Sequence, residues 1–100
     1  MTSPDPAPPL ADLQDAVIDD ATLDQLLFDL QSSATLLDVR VKGAATEHAS
    51  GASQKLDEAV TALREGRVLG VQIRYRYGAA EWCDTLLRVP SGIRIVRMQF

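Results

Sequence analysis

The sequence has 100 residues, of which 46% are hydrophobic and 24% charged, and its formal net charge is −4. The length and composition fit one globular domain with a modest core, and they exclude a second domain and global disorder. No run approaches the roughly 20 apolar residues that a transmembrane helix needs. The N-terminus lacks the basic and apolar regions of a secretory signal, and the single cysteine fits a reducing compartment. We therefore expect a cytoplasmic protein without contact to a membrane.

Charge is divided unevenly along the chain. Residues 1–66 hold twelve acids and four bases, a sum of −8, whereas residues 67–100 hold two acids and six arginines, a sum of +4. Such asymmetry favours an anionic partner for the second half. The alternative is that the acidic half neutralises the basic half within the same fold.

The first third of the chain combines a proline-rich start with leucines at helical spacing. Four prolines lie within residues 1–9, which predicts a disordered tail ahead of a single domain over residues 10–100. Apolar residues then recur at intervals of three and four, which predicts a short helix over about 10–18 and a firmer helix over about 23–32. Thr22 and Gln25 fit a capping box at the start of the second helix.

Residues 35–42 alternate between apolar and polar side chains and predict a strand. In this strand Leu37, Val39 and Val41 are expected to point to the core. A further helix is predicted from Ser53 to Arg64, where one apolar stripe precedes a glycine suited to the C-terminus.

From residue 67 onwards, three alternating runs separated by turn residues predict an antiparallel meander. A reversal at Gly78 and Ala79 would place Tyr75 opposite Trp82 and Arg76 opposite Glu81. The turn at residues 89–92 contains proline followed by glycine, as tight turns favour.

This second turn would pair Leu86 with Ile95 and Asp84 with Arg97. Asp84 would otherwise be an acid on an apolar face, so a cross-strand ion pair accounts for its presence.

The predicted order is α-α-β-α-β-β-β, which indicates a single small α+β domain. We expect a mixed or antiparallel sheet of about four strands with two or three helices on one face. The opposite face would then display four bases, together with polar neighbours, on a stiff sheet. We predict that this face binds a partner through Arg40, Lys42, Arg74, Arg76, Glu81 and Cys83.

No catalytic, metal-binding or nucleotide-binding motif stands out, so no catalytic residue, cofactor or metal is predicted. His48 and Cys83 are the only residues of their types, and nothing in their spacing requires a joint role. On an exposed strand near Arg74 and Arg76, the Cys83 thiol would be somewhat acidic and reactive.

Two functional hypotheses follow from these patterns. The first is a non-catalytic accessory or adaptor protein that binds another protein through the basic sheet face, the N-terminal leucine-rich helix or an edge strand at the C-terminus. The alternative is a small-ligand-binding domain or enzyme that recognises an anionic molecule through Arg40, Arg74 and Arg76, with His48 or Cys83. A homodimer remains open, and the low aromatic content and overall acidity disfavour nucleic acid.

Overall fold

The computed structural model describes residues 15–43 and 56–99. The elements in chain order are β1 (Asp15–Ile18), α1 (Asp20–Ser33), β2 (Thr35–Lys42), α2 (Leu56–Arg64), β3 (Gly70–Tyr77), β4 (Ala80–Val89) and β5 (Gly92–Gln99). The strands form one sheet in the order β1-β5-β4-β3-β2, and every neighbouring pair is antiparallel. The predicted small α+β domain is confirmed. The sheet has five strands rather than four, and the described residues contain two helices.

The chain does not begin its described part with a helix, because Asp15–Ile18 forms the edge strand β1 against β5. Ile18 is buried in the core and Ala16 packs against it, whereas Val17 points away. The predicted helix over 10–18 is therefore wrong for residues 15–18, and its first five residues lie outside the described chain. The interval of apolar residues that includes Val17 matches a helix only by coincidence. A strand of four residues is too short for its alternation to be recognised in the sequence.

Helix α1 begins three residues earlier than the capping box predicted. Asp19 is the N-cap, and its carboxylate accepts a hydrogen bond from the Thr22 backbone N–H at 2.8 Å. Four leucines of α1 recur at helical spacing, so they share one side of the helix, and all of them are buried in the core. They are Leu23, Leu26, Leu27 and Leu30. The apolar face of this helix is therefore used within the domain.

Strand β2 has the predicted bounds but not the predicted alternation throughout. The register with β3 shifts between Leu36 and Asp38, which makes Leu37 the extra residue of a β-bulge. Leu36 rather than Leu37 consequently lies opposite Tyr75 and packs against the core. The alternation resumes after the bulge, where Val39 is buried as predicted.

Helix α2 ends as its sequence predicts. Gly66 has a positive φ of 78°, and its N–H binds the Leu63 carbonyl while the Arg67 N–H binds the Ala62 carbonyl. These two bonds form a Schellman motif, which satisfies carbonyls that the helix end leaves free. The predicted start at Ser53 lies outside the described residues.

The C-terminal meander follows both predicted turns. Tyr75 lies opposite Trp82 in the first hairpin, and Leu86 lies opposite Ile95 in the second. The expected position of the last strand is nevertheless wrong, because β5 is flanked by β4 on one side and β1 on the other. The edges of the sheet are β1 and β2.

The helices cover one face of the sheet, and the core lies between the two layers. The buried leucines of α1 and α2 form one cluster with inward residues of the strands, including Val71, Ile73 and Ile95. Neither described helix has the length and apolar character needed to cross a membrane.

Candidate functional site: the outer face of the sheet

The face of the sheet turned away from the helices, hereafter the outer face, carries all the residues that the sequence nominated for partner binding. The register pairs Arg74 with Cys83, Arg76 with Glu81, and Arg40 with Gln72. These pairs alternate with core residues such as Ile73 and Tyr75 and therefore project from the opposite side. The structure thus brings together Arg40, Lys42, Arg74, Arg76, Glu81 and Cys83 on one surface.

Two of these arginines are engaged by acids of the same face. Arg74 binds Glu81 on the neighbouring strand, and Arg40 binds Asp38 two residues away at 2.6 Å. The hydrogen bond and the attraction of Glu81 raise the pKa of Arg74 above its usual value. The charge of these side chains is therefore already balanced by a local partner.

A third arginine, Arg94, forms a matching pair at the other side of the outer face. Its guanidinium donates two hydrogen bonds to the Asp15 carboxylate, at 3.0 and 2.9 Å. The hydrogen bonding to Arg94 holds the pKa of Asp15 below its usual value. This pair joins β1 to β5, so it contributes to fixing the edge strand.

Arg76 and Lys42 are the cations of the outer face without an ion-pair partner among the described residues. Both side chains are exposed, Arg76 near the β3–β4 turn and Lys42 at the far end of β2. The net positive charge of the face therefore resides at these two positions.

Apolar side chains on β1, β4 and β5 complete the outer face, and the sequence analysis missed them as a group. Val17 is 50% exposed and Met98 is 61% exposed. Val96 and Leu87 are half-buried, and Leu87 lies so close over Gly70 that a Cβ there would be 2.9 Å from its Cδ2. The alternation in residues 92–99 contained this signal, but β1 was needed to extend it to Val17.

Cys83 lies on the outer face but is only 5% exposed. Burial, together with the neighbouring Asp84 carboxylate, raises the pKa of the Cys83 thiol above its usual value. The expectation of an acidic, reactive cysteine is therefore wrong, because burial and Asp84 outweigh the opposite effect of Arg74.

The anionic-ligand alternative uses the outer-face arginines together with His48 or Cys83. His48 lies outside the described residues, so its distance from Cys83 is not part of the described geometry. Within residues 15–43 and 56–99, no cluster of three or more His, Cys, Asp or Glu side chains is placed to hold a metal ion. Two surface depressions are lined by residues other than the outer-face arginines. One is lined by Asp57, Glu58, Thr61 and Arg67, and the other by Gln31, Ala34, Thr35 and Leu36, of which Thr35 lies opposite Arg76.

On the opposite, core side of β4, Asp84 forms the buried ion pair that its position predicted. Its two carboxylate oxygens accept hydrogen bonds from Arg97, each at 2.8 Å, and both accept from the Tyr75 hydroxyl at 3.1 Å. Burial alone would lower the pKa of Arg97, but the hydrogen bonds and attraction of Asp84 outweigh it and raise that pKa. The three side chains satisfy one another inside the core and do not form part of the outer face.

Comparisons with protein-family models, with curated proteins and with solved structures find no match to this chain.

Proposed function

We propose that this chain is a small non-catalytic accessory protein that binds another protein through the outer face of its sheet. The observation that carries the proposal is the composition of this uncovered face. Exposed Met98 and Val17 lie on the same surface as Arg76 and Lys42, whose charges have no partner among the described residues. The exposed apolar residues lie on β1 and β5 and the cations on β3 and β2, so the partner's complementary surface would be apolar on one side and acidic on the other.

A protein surface suits this face better than a small molecule does. Protein interfaces combine an apolar centre with arginine and a polar rim, whereas small ligands bind in concave pockets. Arg40 and Arg74 are already occupied by Asp38 and Glu81, so an anionic ligand would have to displace those acids. The anionic-ligand alternative stays a prediction, with less support from the described geometry.

The sequence also suggested two other binding surfaces, the N-terminal leucine-rich helix and an edge strand at the C-terminus, and both have less support in the described fold. The leucines of α1 are buried, so this helix has no continuous apolar face to place in a partner's groove. Strand addition would have to use β1 or β2, since β5 lies between two strands. On the β2 edge, the Leu37 bulge and the charges of Asp38 and Arg40 are features that protect against further pairing. The β1 edge has only four residues, and short edge strands offer little to pair with. The outer face is therefore the surface that we propose.

The test uses two pairs of matched variants in the full chain. Arg76→Glu changes the charge of the outer face, and Arg88→Glu makes the same change at an exposed position on the other side of the sheet. Met98→Asp places a charge at a residue 61% exposed on the outer face, and Phe28→Asp does so at a helix residue 66% exposed. A partner is first captured from the host with the tagged wild-type chain and then purified for titration.

We expect the Arg76 and Met98 variants to bind more weakly than the wild type. Their measured Kd should be higher by about tenfold or more, which corresponds to about 1.4 kcal/mol of binding free energy. The Arg88 and Phe28 variants should bind as the wild type does, and added salt should weaken wild-type binding. Equal binding by all four variants would refute the outer face as the interface. Sedimentation of the wild type alone shows whether the captured partner is a second copy of the chain.

A further inference from the structure

Helix α1 carries an exposed aromatic residue on the side turned away from the core. Phe28 is 66% exposed, whereas the four leucines of this helix are buried. Asp24 lies one turn before Phe28 on the same side, and Asp29 follows it directly. This side of α1, hereafter the α1 surface, is therefore apolar at Phe28 and acidic around it.

The acids of the α1 surface are only partly neutralised by neighbouring side chains. Asp20 and Asp24 share one cation, Arg64 of α2, whose Nη2 lies 2.7 Å from Asp24 and whose Nε lies 3.6 Å from Asp20. Asp29 accepts a hydrogen bond from the neutral amide of Gln25 at 2.9 Å. Negative charge on both sides of Phe28 is therefore available to a basic surface.

The two sides of the domain carry opposite net charge. Residues 19–33 and 56–67, which include both helices, contain seven acids and two arginines, a sum of −5. The outer face, within the described residues, holds five bases and three acids, a sum of +2. Two outer faces would therefore repel each other. The helices of one copy against the outer face of another would bring complementary charges together.

The spacing of the apolar and charged residues matches between the two surfaces. Met98 on β5 and Arg76 on β3 are separated by two strand spacings and two residues along the strand, which is about 12 Å. Along α1, Phe28 and Asp20 are eight residues apart, which is also about 12 Å. A helix whose Phe28 contacts Met98 can therefore place Asp20 beside Arg76.

We infer that the partner of the outer face is the α1 surface of a second copy of this chain. Phe28 of one copy contacts Met98 and Val96 of the next, while the aspartates of α1 face Arg76. This inference rests on the proposed function, because it uses the same outer face and names its partner. The two surfaces lie on opposite sides of the sheet, so each copy binds one neighbour on either side and the contact forms open chains.

Sedimentation equilibrium of the chain by itself tests this contact. The average mass of the wild type should rise above 10.9 kDa as its concentration increases. The rise should be smaller at about 1 M salt, where the Debye length is about 3 Å. Phe28→Asp and Met98→Asp should each stay monomeric, because each removes one of the two surfaces. Leu69→Asp changes a residue that is 70% exposed outside both surfaces, just before β3, and should assemble as the wild type does.

The two monomeric variants should recover one contact when they are mixed. Phe28→Asp retains its outer face, and Met98→Asp retains its α1 surface. An equimolar mixture should therefore form a particle of twice the chain mass and no larger assembly. Recovery in the mixture also shows that both variants are folded, and circular dichroism of each variant alone checks this independently.

Three results would overturn the inference. The first is a wild-type chain that stays monomeric at every concentration at which it is soluble. The second is a Phe28→Asp variant that assembles as the wild type does, because the contact would then not use α1. The third is a mixture in which the two folded variants remain monomers. The proposed function is refuted by a different measurement, namely equal binding of a captured partner by the wild type and by the Arg76 and Met98 variants.

Discussion

Replacement of Asp84 by asparagine should destabilise the domain more than any single change at an exposed ion pair. The Asp84 and Arg97 side chains are 0% and 1% exposed and are joined by two hydrogen bonds of 2.8 Å. Asparagine would leave the Arg97 guanidinium buried without a balancing charge, which typically costs about 3–5 kcal/mol. The total stability of a domain is about 5–15 kcal/mol, so this loss is a large part of it.

The assay is urea unfolding followed by circular dichroism, with each variant compared at its midpoint and slope. Asp15→Asn is the matched control, because Asp15 also accepts two hydrogen bonds from one arginine but is exposed. Its effect should be much smaller. The double change Asp84→Leu with Arg97→Met should recover most of the loss, since no buried charge remains. Equal destabilisation by Asp84→Asn and Asp15→Asn would refute the reasoning.

Three further outcomes are expected. Cys83 should react slowly with iodoacetamide at neutral pH until urea unfolds the chain, because burial and Asp84 raise its pKa; equal rates in the native and unfolded chains would contradict this. Burial, then Asp84, also raises the pKa of Tyr75, so the unfolded chain loses this proton first, stability falls as the pH rises above about 10, and Tyr75→Phe should reduce that fall. Gly92→Ala should cost about 1–3 kcal/mol in urea unfolding, because φ is 147° and the new Cβ would lie 2.7 Å from the Ile18 carbonyl oxygen; Ser91→Ala in the same turn should cost little.

The sequence was most informative where a residue violated its local pattern. Asp84 interrupts an apolar face, and only a cross-strand cation could make that position acceptable, so Arg97 followed from the turn length. Tyr75 could not be added to the pair, since a tyrosine on an apolar face gives no sign of where its hydroxyl points. The turn residues and alternation together determined both hairpin registers.

The sequence was least informative where a long-range contact decides the outcome. β1 exists because β5 offers it a partner 81 positions away from Asp15, and nothing local in residues 15–18 distinguishes a strand from a helix turn. The bulge at Leu37 likewise depends on which of two adjacent leucines faces Tyr75. Burial of Cys83 reflects the side chains around it, which single-strand alternation does not specify.

On the outer face, the alternation predicted which residues share a surface but not how their charges are used. The sequence placed Arg76 opposite Glu81, but the ion pair of Glu81 is made with Arg74. The pairing of Arg40 with Asp38 was not anticipated either. Side-chain ion pairs depend on rotamers and on the distance between strands, so a count of arginines overstates the charge that is available to a partner.

The pairing of β1 with β5 also determines when this protein can complete its fold during synthesis. The first strand leaves the ribosome well before its partner β5, and Asp84 likewise waits for Arg97. Until residues 92–99 emerge, Asp84 therefore has no Arg97 to balance its charge, and β1 has no neighbouring strand to pair with. At about 5–20 residues per second, the stretch from Ile18 to Ile93 leaves several seconds in which chaperones or a partner can bind the unfinished domain.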